Sequence, residues 1–127
     1  MGKRIRTRRR GHGSPVYRSP SHRHFGKISF PPVTGPVTGE IIDIYHAPGR
    51  TSPLMKVKLE TGEKIQLIAV DGIQSNQRIQ IGDNVSIERG NILPLNSIPD
   101  GTYICNIEAR PGDGGKYIRS AGSSALV

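Results

Sequence analysis

Residues 53–60, PLMKVKLE, decide how the rest of the chain is read. Leu54, Met55, Val57 and Leu59 form one apolar set, and Lys56 and Lys58 interrupt it at period two. That is the pattern of a strand with one buried and one wet face. Thr61-Gly62 supplies a turn, and EKIQLIAV (63–70) alternates again, so two neighbouring strands are expected. Working outward, VTGEIIDIYH (37–46), QRIQIG (77–82), NVSIE (84–88) and TYICNIE (102–108) read as further strands. Ala47-Pro48-Gly49, Asp71-Gly72, Gly82-Asp83 and Asp100-Gly101 are the turns between them. No segment sustains a 3.6-residue apolar period, and 16 glycines and 10 prolines interrupt the chain often. The expected class is all-β.

Two breaks divide the strands. PPVTGP (31–36) reads as a hinge, and NILPLNSIP (91–99) places two prolines among apolar residues. The five strands between them suit a five-stranded barrel of the OB-fold kind. TYICNIE and YIRSAGSSALV (117–127) follow, and two strands cannot bury a face by themselves. They either complete the first barrel or begin a second module. The expected organisation is an extension over 1–36, a barrel over 37–93 and a further β unit from 94 to 127.

The extension has its own chemistry. Lys3, Arg4, Arg6, Arg8, Arg9, Arg10, Arg18, Arg23 and Lys27 all precede the first carboxylate, Glu40. The first thirty residues thus carry nine positive charges, and the remainder, with nine basic and ten acidic residues, carries −1. A basic arm on a near-neutral body points to a polyanionic partner. An acid-free arginine run repels itself, so the arm is expected to be disordered when free. Arginine outnumbers lysine there seven to two, which favours forked contacts with phosphate oxygens over a merely solvated tail. His12, His22 and His24 are read as phosphate or base contacts, because His22-x-His24 without cysteines is a poor metal pattern. Tyr17, Phe25 and Phe30 offer faces that could stack on unpaired bases.

Catalysis finds little support. RPGDGGKYIRS (110–120) resembles a phosphate loop, but Tyr117 follows Lys116 where the Walker pattern needs Ser or Thr. Cys105 is the only cysteine, has no histidine near it in sequence, and excludes an internal disulfide. No secretory h-region and no apolar run near ~18 residues is present, so a cytosolic chain without membrane contact is expected. Two glycine-rich loops each carry an arginine: HAPGRTS (46–52) with Arg50, and 111–122 with Lys116 and Arg119. Glycines there would let backbone amides approach phosphates closely.

MGKRIRTRRRGHGSPVYRSPSHR, HAPGRTSPLMKVKL and GNILPLNSIPDGTYICNIEARPGDGGKYIRSAG together closely resemble the universal second protein of the large ribosomal subunit, in its archaeal and eukaryotic form. Bacterial members differ at the head. The resemblance spans nearly the whole chain in order, and its last segment is highly specific. It implies an OB-fold followed by an SH3-like barrel, threaded into large-subunit rRNA by basic extensions. It also implies rRNA contacts at Arg50 and Arg119, and neighbouring large-subunit proteins as further partners. Members of that family are about twice this length, so the second barrel is expected to be incomplete. The implied role is structural: no enzyme activity, cofactor, metal or small-molecule substrate, and a place on cytoplasmic ribosomes. The alternative is a free-standing OB-fold protein binding single-stranded RNA in translation initiation or RNA processing.

Overall fold

The computed structural model describes residues 2–32 and 35–127. Val33 and Thr34, within the stretch expected to act as a hinge, lie outside the described residues. The body is a four-stranded antiparallel sheet in the order β3-β2-β1-β4, with β1 Val37–Tyr45, β2 Leu54–Leu59, β3 Lys64–Ile68 and β4 Arg78–Ile81. A separate antiparallel pair joins β5, Tyr103–Ile104, to β6, Ala125–Leu126. The class is all-β, with a single short helix, α1 Arg6–Gly11, among the described residues.

Alternation produces the core. Ile41, Met55, Val57, Leu67 and Ile79 all point to one side of the sheet and are at most 2% exposed. Lys58, Lys64, Glu40 and Arg78 lie in one registered row on the other side. A register shift between Ile41 and Asp43 bulges β1, so Ile42 stays partly exposed while Ile44 returns to the core side opposite Met55.

Leu54 is a correction. Although grouped by sequence with Met55, Val57 and Leu59, it pairs with Ile68 on the opposite face. There a second buried cluster forms from Ile28, Ala47, Leu54 and Ile68. The Leu54-Met55 doublet therefore marks a strand end covered on both sides. The cover is the root of the arm: Ile28 is 3% exposed, and Phe30 packs against the larger core. Residues 28–30 thus belong to the packed body although they precede PPVTGP.

NVSIE is a second correction, since residues 84–88 form no strand. Asn84 has φ 57°. The Asn91 side chain takes the place of a neighbouring strand: its Oδ1 accepts the Gln80 N–H at 2.8 Å, and its Nδ2 donates to Ser86 O at 2.9 Å. A side chain that mimics a ladder partner competes with the ladder itself. The edge of β4 instead meets Ile92 through a single parallel bridge, with Ile92 N–H donating to Gln80 O at 3.0 Å. TYICNIE and YIRSAGSSALV also shorten, to two residues each plus a bridge between Ile107 and Tyr117.

The arm was expected to lack structure, and the described part has local turns. Residues 6–11 make α1 and residues 21–23 a 3-10 turn, with no buried residue in either. Six residues fall well short of the ~12–15 below which isolated helices are marginal in water, and α1 buries no residue that could anchor it to the body.

Candidate nucleic-acid interface

After β1 the chain turns at His46–Arg50, with Arg50 N–H donating to Ala47 O at 3.2 Å. Gly49 has φ 84°, and a Cβ there would collide with the His24 imidazole. A side chain there would displace that ring and strain the backbone. Two further contacts hold the arm there, and a third braces His24 within the arm. The Phe25 and Tyr45 rings meet edge to face with centroids 5.2 Å apart, Arg50 Nη2 donates to Gly26 O at 3.4 Å, and His24 Nε2 lies 3.2 Å from Ser19 Oγ.

The second arginine loop is tied to the first. Ser52 Oγ donates to Arg119 O at 3.1 Å, and Ala121 N–H donates to Thr51 Oγ1 at 3.2 Å. Ser52 is 5% exposed, so the first bond is shielded from water. The Arg119 guanidinium folds back, its Nη1 donating to Gly115 O at 3.1 Å, while its buried Nε has no partner. Burial first, and the like charge of Arg50 second, hold the Arg119 pKa below the ordinary arginine range. Two arginine-bearing loops from distant parts of the chain are thus joined, and the like charges they carry act on one another. Neither arginine forms an ion pair; the one ion pair among the described residues joins Lys116 and Asp113 at 3.3 Å. Like charges without acid partners are stabilised by an added anion.

The glycine loop departs from expectation. Its amides were read as free donors for phosphate, but its own carboxylates take them. Glu108 accepts the N–H groups of Gly112 and Gly114 at 3.2 and 2.8 Å. Asp113 Oδ2 accepts those of Ala109 and Arg110 at 3.2 and 3.1 Å, and its Oδ1 that of Gly115 at 3.3 Å. Desolvation pushes the Asp113 pKa up, but the hydrogen bonds from Arg110, Lys116 and Gly115 outweigh it and leave the carboxyl below its ordinary value. Glu108 and Asp113 make the loop a rigid support for Arg119 rather than a phosphate cradle. Sequence reading missed both; the acid-glycine alternation in EARPGDGG was the available signal.

The other expected site residues are spread out. Lys3, Arg4, Arg6, Arg8, Arg9 and Arg10 are exposed on or before α1, and His12, Arg18, His22, Arg23, His24 and Lys27 are exposed along the following turns. Only His24 is brought to the Arg50 loop. Lys116 spends its charge on Asp113. The three aromatics have internal roles: Phe25 meets Tyr45, Phe30 packs on the core, and Tyr17 lies under Arg10 with 6.0 Å to the ring centroid. Among the described residues no group of three His, Cys, Asp or Glu side chains is placed to hold a metal, and no helix is long and apolar enough to cross a membrane. A polar cleft of about 300 Å³ opens beside Thr38, Glu60, Arg78 and Glu88, with both signs of charge and neither loop arginine in its wall. Burial raises the pKa of the Cys105 thiol, which leaves it a poor nucleophile.

A small all-β body, an exposed basic arm and two joined loops whose arginines form no ion pair make up the charge layout of the described residues. Comparison with known proteins narrows the class. The family model Ribosomal Proteins L2, C-terminal domain, matches residues 88–127. Large ribosomal subunit protein uL2 of Picrophilus torridus is 51% identical over 127 residues, which is 100% of this chain and 53% of that protein. The uL2 proteins of Methanoregula boonei and Saccharolobus islandicus are 47% and 45% identical, again over 100% of this chain and over 54% and 53% of theirs. The chain belongs to the uL2 family, and it spans about half the length of the curated relatives it matches.

Proposed function

We propose that this protein is a structural constituent of the large ribosomal subunit that binds large-subunit rRNA, supports assembly, and acts without enzyme activity or cofactor. The observation that carries the reading is the junction of the Arg50 and Arg119 loops through Thr51 and Ser52, with neither arginine in an ion pair among the described residues. The names of the similar proteins agree with it. The four-stranded sheet, extended at Ile92, is read as an OB-fold, and the β5–β6 pair as the start of an SH3-like barrel. The body fixes an address on folded rRNA through the arginine pair, mainly by backbone and shape. Lys3 through Lys27 then fill grooves between rRNA helices, where released counterions supply much of the driving force. Neighbouring large-subunit proteins and a place on cytoplasmic ribosomes follow from that role.

Sedimentation tests the reading. A tagged chain expressed in an archaeal host should travel with large subunits at moderate salt. Recovery only at the top of the gradient refutes it, and would favour a free RNA-binding factor.

A further inference from the structure

We propose that Lys56, Lys58 and Lys64, on the wet face of β2 and β3, form a further docking surface for the rRNA sugar-phosphate backbone; this rests on the rRNA-binding reading above. Register places the three together. Lys58 stands directly opposite Lys64, and Lys56, two residues along β2, faces Gln66 on the same side of the sheet. Directly opposed side chains in an antiparallel pair have Cβ atoms about 4.5–5.5 Å apart, and like charges there repel. β2 and β3 carry no other charged residue, and none of the three lysines is in an ion pair among the described residues. Lys58 and Lys64 are exposed and Lys56 is half-buried. A phosphate set between two such ammonium groups relieves their repulsion and accepts a charge-assisted bond from each.

Position and charge both pick RNA as the occupant. The arm root lies on this same face: Ile28 is buried with Leu54 and Ile68, and Phe25 meets Tyr45, which pairs with Leu54. Lys58 follows Leu54 on β2 by four residues, about 13 Å of extended chain. A polyanion held by the arm therefore lies on the side of the sheet where the lysines stand. With Glu40, Asp43 and Arg78 of the neighbouring strands included, this face carries four basic and two acidic side chains, or +2. The rest of residues 31–127, with five basic and eight acidic, carries −3. The acids also bound the track. Glu40 and Asp43 oppose Lys58 and Lys56 from β1, and Glu60 and Glu88 share the polar cleft with Arg78. A phosphate chain is thereby confined to β2 and β3, and Arg78 stays outside it.

The test is filter binding of the whole chain to purified large-subunit rRNA between about 50 and 200 mM salt, with thermal melting measured in parallel. Lys58→Gln combined with Lys64→Gln should make the slope of log K against log salt about 1.4 to 1.8 shallower, the share of two neutralised phosphates. Arg89→Gln removes an exposed charge whose side chain lies against Gly72, away from this face, and should keep the wild-type slope. Glu40→Gln, which removes the acid opposite Lys58, should bind more tightly. Because the double change relieves a like-charge pair, the melting temperature should hold or rise. An unchanged slope in the double variant would overturn the proposal and leave the lysines as guards of the edge strand β3. An equal loss per charge at Arg89, or weaker binding by Glu40→Gln, would overturn it as well. Wild-type binding that does not depend on salt would place the failure in the underlying rRNA reading instead.

Discussion

Deleting residues 2–23 should strip the protein of most of its salt-sensitive affinity while leaving the body folded. The segment removes Lys3, Arg4, Arg6, Arg8, Arg9, Arg10, Arg18 and Arg23, eight of the nine basic residues of the arm. Each phosphate neutralised contributes about −0.7 to −0.9 to the slope of log K against log salt. Eight contacts would thus account for a slope change of about 6 to 7, and half that number for about 3. Where the deletion ends matters. Extending it to residue 30 would also take Ile28, 3% exposed in the second cluster, and Phe30. Losing one buried side chain of that size costs about 2–5 kcal/mol, against a total of about 5–15 kcal/mol for a typical domain. The longer deletion should therefore confound loss of charge with loss of fold. Binding to purified large-subunit rRNA, measured between about 50 and 200 mM salt, should give a slope at least about 3 shallower for the shorter deletion. A slope within about 1 of wild type, with the body still folded, would refute the account of the arm.

Arg119→Ala should weaken rRNA binding by about 1–3 kcal/mol, the range for a charge-assisted contact, and wild-type affinity would remove it from the site. Ile79→Ala, at a position fully buried in the main core, should cost about 2–5 kcal/mol in urea unfolding; a smaller loss would mean the core collapses around the gap. Asp113 has a folded pKa below its ordinary 3.8, so its contribution to stability is present above that value and disappears as pH falls through the folded one. Amide exchange at Gly115 and Arg110 should accelerate in acid over that window, and Asp113→Asn should abolish the change. Acid-insensitive exchange in the wild type would contradict the role given to this carboxylate.

Much of the sheet was legible because period-two alternation is strict where one face is wet, as at Lys56 and Lys58. It misled at Leu54, where both faces are covered and the cover comes from Ile28, distant in sequence. It failed at NVSIE, where alternation is present but Asn91 satisfies the backbone that a strand would need. The arm's charge was readable from composition, and Arg50 and Arg119 were named through a family resemblance. The junction of their loops was not readable, since it depends on the hydroxyls of Thr51 and Ser52 bonding across the fold. Nor could composition show that Phe25 and Tyr17 already have ring partners.

The carboxylates of the Arg119 loop explain how an arginine pair can persist before any anion arrives. Two like charges drive the loops apart, and the repulsion must be resisted by structure that does not itself neutralise them. Glu108 and Asp113 do this by bonding to amides and to Lys116, not to Arg119. Their negative charge is spent on shaping the backbone, and the guanidinium stays free of an acid partner. Truncating either acid should therefore weaken anion binding by loosening the loop, even though removing a negative charge should by itself strengthen it. Opposite signs from electrostatics and from geometry make this arrangement separable by experiment: Asp113→Asn should keep most of the accepted hydrogen bonds and bind better or equally, whereas Asp113→Ala, which loses them, should bind worse.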